Sequence, residues 1–280
     1  MRKKSVILFA VSVFFFAAFV LFLYSQNNLI ELTRFEYKNE KVPESFDGFQ
    51  IVHVSDLHNK SFGKDNTVLL GKIRSENPDV IFITGDIVDS RHTDFDVSLR
   101  FAGQCVKIAP TYYVSGNHEH RFGNTQEMFE ALKSVGVTVL EDEKAEIRQG
   151  EEKISLYGLS AKQRDGYSEN YASRVTALAE EKSQDEFSVL LAHYPQYLDD
   201  YAKAGFDLVF SGHAHGGQFR IPFTNKGIFA PDQGFFPEYT GGEYKKDDTV
   251  MVLSRGLGNS LVPLRLFDRP QLIILTLKGE

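Results

Sequence analysis

Apolar residues are distributed along this chain in three ways. Over residues 5–24 they run without a charged residue, in a mixture of Phe, Val, Leu and Ala that shows no polar face. A helix rises about 1.5 Å per residue, so this stretch can cross a hydrocarbon core of roughly 30 Å. Farther on come short β-branched or aromatic runs, each ending in a polar cluster: Gln50–Val54, Val80–Thr84, Thr111–Val114, 187–192 and 207–210, with later runs at 250–253 and 272–277. Apolar residues are continuous within them rather than alternating, which predicts strands buried on both faces. The intervening spacing is helical. Thr125 can cap a helix whose Met128, Phe129, Leu132 and Val135 share one face before Gly136 stops it; Pro195 suits a first turn, followed by the stripe Leu198, Tyr201 and Ala202 and by Gly205. Further helices are predicted at Thr67–Ser75 and around 94–106. Strand and helix alternate almost throughout, which predicts an α/β fold whose ligands sit beyond the carboxyl ends of strands. No repeat, low-complexity stretch or linker divides residues 48–280, so the organisation read here is a basic tip and apolar helix at 1–25, a polar connector at 26–47 and one domain at 48–280.

Arg2, Lys3 and Lys4 precede the apolar helix, and the tendency of positive residues to remain in the cytoplasm sends everything after Gln26 to the other side. A cleaved signal peptide is the rival reading. Bulky Phe22, Leu23 and Tyr24 stand where its small-x-small site would be expected, which favours an uncleaved anchor in the cell membrane with an extracytoplasmic domain.

With 42% hydrophobic and 25% charged residues the balance is that of a globular protein. Apart from the three basic residues at the start, 28 of the 31 Lys and Arg face 38 acidic residues, the opposite of a nucleic-acid-binding footprint. Cys105 is the only cysteine, so neither an internal disulfide nor a thiolate-rich metal site can be built.

The candidate chemistry lies at the ends of the predicted strands. Asp56-Leu57-His58, Gly85-Asp86 with Asp89, Gly116-Asn117-His118-Glu119, His193 and Gly212-His213-Ala214-His215 close five successive runs. Singly, each is accounted for as a turn pair or a hydrogen-bonded structural histidine. Turn chemistry does not account for five of the eight histidines gathering there. Imidazole and carboxylate ligands without thiolates suit Zn²⁺, Fe²⁺ or Mn²⁺. Seven candidates, Asp56, His58, Asp86, Asn117, His193, His213 and His215, exceed one tetrahedral ion and fit two, which would share a carboxylate and a water of lowered pKa and clamp phosphoryl oxygens.

Taken in order, Asp-x-His, Gly-Asp-x-x-Asp, Gly-Asn-His-Glu, a lone His and Gly-His-x-His resemble the pattern of the calcineurin-like metallophosphoesterases. The longer strings His53-Val-Ser-Asp-Leu-His58 and Ser211-Gly-His-Ala-His-Gly-Gly-Gln218 are similar to the exported or membrane-associated bacterial phosphodiesterase branch described as YaeI/YkuE-like. The resemblance covers nearly everything after residue 48 and implies an αββα sandwich of two facing mixed sheets flanked by helices. It also implies two divalent metal ions (Mn, Fe or Zn), one on Asp56, His58 and His215, the other on Asn117, His193 and His213, bridged by Asp86. His118 would then stand over the leaving group as general acid, with Asp89 hydrogen-bonded to its ring; the role of Glu119 stays open. Ser90 departs from the protein Ser/Thr phosphatases, which carry a phosphate-gripping Arg there, and a phosphoprotein substrate is correspondingly disfavoured.

The aromatic-rich stretch 219–240 is too long for a plain connection. It is expected either to extend the core or to form an apolar lip that accepts a lipid-linked or other amphipathic phosphoester near the membrane. A metal-dependent hydrolase of phosphodiesters, pyrophosphates or monoesters is the function the sequence favours. A metal-bound binding module without turnover and, more remotely, a nuclease are the alternatives; the complete ligand set with His118 weighs against the first, and the acidic balance against the second.

Overall fold

The computed structural model of the chain describes residues 2–92, 95–121, 123–162, 168–183, 185–259 and 262–279. Its first element, α1 (Arg2–Asn28), extends the apolar stretch at both ends and is exposed nearly all round. Polar side chains in its last turn fold back onto carbonyls of the turn before: Ser25 Oγ donates to Phe22 O at 2.7 Å, Asn27 Nδ2 to Leu23 O at 2.8 Å and Asn28 Nδ2 to Tyr24 O at 3.0 Å.

Two six-stranded sheets follow. Numbered along the chain, β1 (Glu31–Lys38), β2 (Gln50–Val54), β3 (Val80–Thr84), β4 (Thr111–Val114) and β5 (Thr138–Val139) precede β6 (Glu143–Gln149), β7 (Glu152–Leu159), β8 (Ser188–Ala192) and β9 (Leu208–Ser211). The short β10 (Phe229–Ala230) and β11 (Gly234–Phe235) form a separate hairpin, and β12 (Gly242–Lys246), β13 (Thr249–Leu253) and β14 (Gln271–Lys278) complete the set. The first sheet has the order β1-β14-β2-β3-β4-β5 and the second β12-β13-β9-β8-β7-β6. Within the two sheets every ladder is parallel except β14 with β2, β12 with β13 and β6 with β7.

Side-chain alternation sorts the core into three layers, which makes the fold the expected four-layer αββα sandwich. Val52, Ile81 and Ile83 turn outward from the first sheet onto α2 (Thr67–Ser75), α3 (Asp96–Cys105) and α5 (Thr125–Ser134), meeting Leu69, Phe101 and Leu132; Cys105 is buried here too. Ile51, Phe82 and Val114 turn inward and pack against Leu191, Phe210 and Val252 of the second sheet. The outer face of that sheet, with Leu190, Val209 and Met251, lies on α6 (Ser168–Ala179) and α7 (Leu198–Lys203), which supply Val175 and Tyr201.

All seven predicted strands are present with ends within a residue of expectation. The connector reading of 26–47 does not hold for Glu31–Lys38, which pairs in parallel with β14 from Glu31↔Gln271 to Lys38↔Lys278 and forms an edge strand. Thr125 opens α5 but does not cap it; its hydroxyl donates to Glu119 O at 2.9 Å. The start of the helix predicted at 94–106 falls partly outside the described residues, and the helix runs over Asp96–Cys105.

Phe82 is fully buried at the centre of the inter-sheet layer, edge-on to Phe210 at 5.2 Å between ring centroids. Phe82→Ala is expected to lower unfolding free energy by about 3–5 kcal/mol, measured by denaturant titration of the detergent-solubilised chain; a midpoint equal to that of the wild type would contradict the packing described.

Candidate metal centre

The predicted site residues converge at one edge of the sandwich. Asp56 and His58 follow β2, Asp86 follows β3, Asn117 and His118 open the short α4 (Asn117–Arg121) after β4, His193 follows β8, and His213 and His215 follow β9. All five strands are parallel to their neighbours in this set, so their carboxyl ends share a side of the molecule. Five of these residues sit in the left-handed region: Asp56, His58, Asp86, His213 and His215 have φ of 53°, 48°, 50°, 71° and 48°. Each such conformation costs an L-residue roughly 1–2 kcal/mol, and neighbouring groups over-determine it. Asp56 N donates to Gly85 O at 3.0 Å, His58 N to Asp86 O at 3.0 Å, and His213 N reaches both Asp56 carboxylate oxygens at 3.1 Å. The glycines before Asp86 and Asn117 let these loops touch. A Cβ on Gly116 would lie 2.2 Å from Asp86 Oδ1, and one on Gly85, at φ +83°, 2.3 Å from Gly116 N.

Two groups result, Asp56, His58, Asp86 and His215 in one and Asp86, His193 and His213 in the other, with ligand-type atoms within 4.8 Å of one another in each and Asp86 common to both. In the first, His58 Nε2 lies 3.1 Å from His215 Nε2, and His215 Nε2 lies 3.3 Å from Asp56 Oδ1. Asp86 Oδ2 is 3.7 Å from His58 Nε2 and 3.3 Å from His193 Nε2. Burial pushes the His58 pKa down to about 3 and that of His215 well below the usual imidazole range, so both rings are neutral, as a metal ligand must be.

In the second group the tautomers follow from the surroundings. His193 Nδ1 donates to Thr84 O at 2.7 Å and His213 Nε2 to Asp232 Oδ2 at 2.9 Å. That leaves His213 Nδ1 as a lone pair, 3.2 Å from His193 Nε2. The Asn117 amide is 2.9 Å from the same Nδ1, where its nitrogen would hydrogen-bond and its oxygen would add another ligand. Asp86 Oδ2 and His213 Nδ1 thus crowd around His193 Nε2, with Asn117 against His213 Nδ1, and one proton can satisfy one acceptor where a cation can satisfy all. Burial opposes charge on His193, yet the Asp86 and Asp56 carboxylates outweigh it and raise its pKa to about 9. This donor set fits a divalent ion in each half.

His118 stands edge-on to His58, with centroids 4.6 Å apart and planes at 83°. The expected hydrogen bond from the His118 ring to Asp89 is replaced: Ser90 N donates to His118 Nδ1 at 3.0 Å, whereas Asp89 Oδ1 is 3.6 Å away. Asp89 instead accepts from Arg91 Nε at 2.8 Å and Nη2 at 2.6 Å, a bidentate pair that draws its carboxylate off the ring. With Nδ1 accepting, the proton of the neutral His118 ring is on Nε2.

The roles of several supporting residues escaped the sequence reading. Glu119 is fully buried and its carboxylate gathers four backbone donors: Asp86 N at 2.8 Å and Gly116 N at 2.6 Å on one oxygen, Ile87 N at 2.8 Å and Val88 N at 3.3 Å on the other. It ties the β3 loop to the β4 loop. Asp232, in the turn of the β10–β11 hairpin, fixes the His213 tautomer from seventeen residues beyond the last predicted ligand. Arg265 is buried behind His215, with Nη2 3.4 Å from His215 Nδ1 and an ion pair to Asp268 at 3.0 Å. The neighbouring cleft, about 100 Å³, is lined by His118, Arg121, Pro231 and Asp232 together with Asp86, Asn117, His213 and His215. Of the aromatic stretch, Phe223, Phe235 and Phe236 are exposed, so they do not extend the core.

A family model described as calcineurin-like phosphoesterase matches residues 49–217. The chain is 29% identical over 266 residues to the uncharacterized metallophosphoesterase YkuE of Bacillus subtilis, covering 91% of this chain and 88% of that one. It is 29% identical over 241 residues to phosphodiesterase YaeI of Escherichia coli, covering 82% of each. It is 26% identical over 251 residues to a transmembrane protein with metallophosphoesterase domain of Danio rerio, covering 85% of this chain and 55% of that one.

Replacing Glu119 with Gln turns an amide NH₂ toward a pair of backbone N–H groups. The variant is expected to lose about 1–3 kcal/mol of unfolding free energy; denaturant titration giving a wild-type midpoint would show that the carboxylate does not hold the two loops.

Proposed function

Because the chain belongs to the calcineurin-like phosphoesterase family, we propose that it hydrolyses phosphoester bonds with two divalent ions, one held by Asp56, His58 and His215 and the other by Asn117, His193 and His213, with Asp86 shared. The observation that carries this reading is the convergence of two acceptor groups on one carboxylate. Bound there, the ions supply Lewis-acid activation of water and offset charge on the phosphoryl oxygens. The donor set, without thiolates, suits Mn, Fe or Zn.

The chain's own residues do the rest. His118 lines the cleft with its proton on Nε2, held in that tautomer by Ser90 N, and gives that proton to the leaving-group oxygen. Arg121 brings positive charge to the same cleft and grips the substrate's phosphoryl group, a part that Ser90 cannot play. Asp232 and Thr84 O fix the two imidazoles that must present lone pairs.

The substrate we assign is an amphipathic phosphodiester, lipid-linked or of the cell envelope. The name of YaeI supports the diester, and the exposed Phe235 and Phe236 on the hairpin that carries Asp232 into the cleft support the apolar part. Among the described residues one helix, running from Lys3 to Asn28, is long and apolar enough to cross a membrane, and relatives named as transmembrane proteins accord with membrane association. In the orientation we propose, Arg2, Lys3 and Lys4 stay in the cytoplasm and the domain lies outside.

Wild-type protein is expected to turn over bis-p-nitrophenyl phosphate with added Mn²⁺ and to stop on chelation. His118→Asn should lower kcat by about 10²–10⁴-fold with metal content unchanged by elemental analysis. Absence of metal-stimulated turnover in the wild type would leave a binding module instead. For the substrate class, phospholipid diesters in mixed micelles are expected to outcompete soluble nucleotides, with Phe235→Ala and Phe236→Ala raising KM for the lipid alone. Preference for soluble esters, untouched by these changes, would sink the amphipathic assignment.

A further inference from the structure

Large apolar side chains exposed outside α1 are few and gathered. Among the described residues they are Leu29, Val68, Ile221, Phe223, Phe235, Phe236, Val262 and Phe267. All but Val68 lie just past the end of α1, in the excursion 221–236, or in the loop 262–267.

These stretches are fastened to the end of α1. The Phe267 ring packs on Phe22 of the helix with centroids 5.4 Å apart. Asn27 brackets the Arg265 backbone, accepting from Arg265 N at 2.9 Å and donating to Arg265 O at 3.4 Å, while its own carbonyl takes Lys60 Nζ at 2.5 Å. Arg220 N donates to Leu266 O at 3.0 Å, which joins the aromatic excursion to the same loop. A cavity of about 310 Å³ lies between helix end and excursion. Ile221, Phe223 and Phe267 line it along with Gln26, Glu31 and Arg269, the mixture of apolar and charged groups that suits the headgroup boundary of a bilayer.

The backbone adds a second observation. Phe223, Phe236 and Phe267 hold φ of 64°, 55° and 55°, a conformation that bulky residues avoid, and each presents its ring to the outside. The Phe223 ring gains no burial in the fold that would offset this, since the residue is fully exposed. Apolar surface so concentrated next to a membrane-spanning helix is accounted for by the medium that the helix crosses.

We infer that Ile221, Phe223 and Phe267 form a rim seated in the bilayer beside α1, so that the domain lies on the membrane surface rather than hanging from its anchor. The loop that carries Phe267 also carries Arg265, which backs His215, so the metal cleft is held against the lipid headgroups. Only this consequence for the substrate rests on the phosphoesterase reading; the seating does not.

The chain has no Trp, so single reporters are clean. Full-length Phe223→Trp and Phe267→Trp proteins are reconstituted in phosphatidylcholine vesicles containing phosphatidylglycerol, with and without acyl-chain bromination. Glu151→Trp, in the exposed turn at the amino end of β7, serves as control, and circular dichroism checks folding of each variant. Expected is a loss of emission with brominated lipid at positions 223 and 267 and none at 151. Emission at 223 and 267 indifferent to bromine, or quenched no more than at 151, overturns the seating, including where a blue shift that grows with protein concentration shows the rim covered by a second copy. The reading needs neither metal nor turnover, so an inactive protein that is still quenched would count against the proposed activity and leave the seating intact.

Discussion

Ligand-type atoms drawn within about 3 Å of one another are the constraint around which this structure is arranged. His193 Nε2 lies 3.2 Å from His213 Nδ1 and 3.3 Å from Asp86 Oδ2, and His58 and His215 face each other at 3.1 Å. The protons available satisfy only some of these atoms, and buried polar groups left without a partner are costly. The fold must therefore hold them by force from outside the cluster. It does so with left-handed backbone at five of the ligand positions, with glycines that bring loop against loop, and with one carboxylate, Glu119, that collects four N–H groups from two loops.

A polar cluster between the sheets continues that frame inward. Thr84 O accepts from His193 Nδ1, Thr84 Oγ1 donates to Ser55 Oγ at 2.9 Å, and His53 Nε2 meets Thr84 Oγ1 at 2.7 Å. Burial holds the His53 pKa down at about 3, so the ring adds shape and a hydrogen bond but no charge under the site. Sheet edge, loop and ligand are thus one continuous hydrogen-bonded body, in which a displaced strand would displace a ligand atom.

The legibility of the sequence follows from these same physics. Strands in the interior of each sheet are buried on both faces, so β2, β3, β4, β8, β9, β13 and β14 show as continuous apolar runs. The edge strands β1, β5, β6 and β12 carry charged outer positions or are very short, as in Glu143–Gln149 and Gly242–Lys246, and all four went unread together with β7 beside the β6 edge. The candidate ligands were legible because neither turn geometry nor core packing calls for histidine at one strand end after another, and all seven converge. Their supports were not. Glu119 reads as one more charge in a motif, Ser90 acts through its backbone N–H, which side-chain identity cannot report, and Asp232 and Arg265 come from stretches without periodicity. The expected Asp89–His118 bond failed for a local reason: Arg91, two residues on, competes for the same carboxylate.

Only Leu29 and Ile30 separate the last residue of α1 from the first residue of β1, and the Asn27 clasp removes most of the play those two residues would allow. A domain mounted on so short and stiff a stalk has almost no vertical reach. With α1 spanning the bilayer as proposed, it would meet its substrates by sliding in the plane of the lipid, where encounters depend on surface density and lateral diffusion, and molecules dissolved away from that plane would have to come to it.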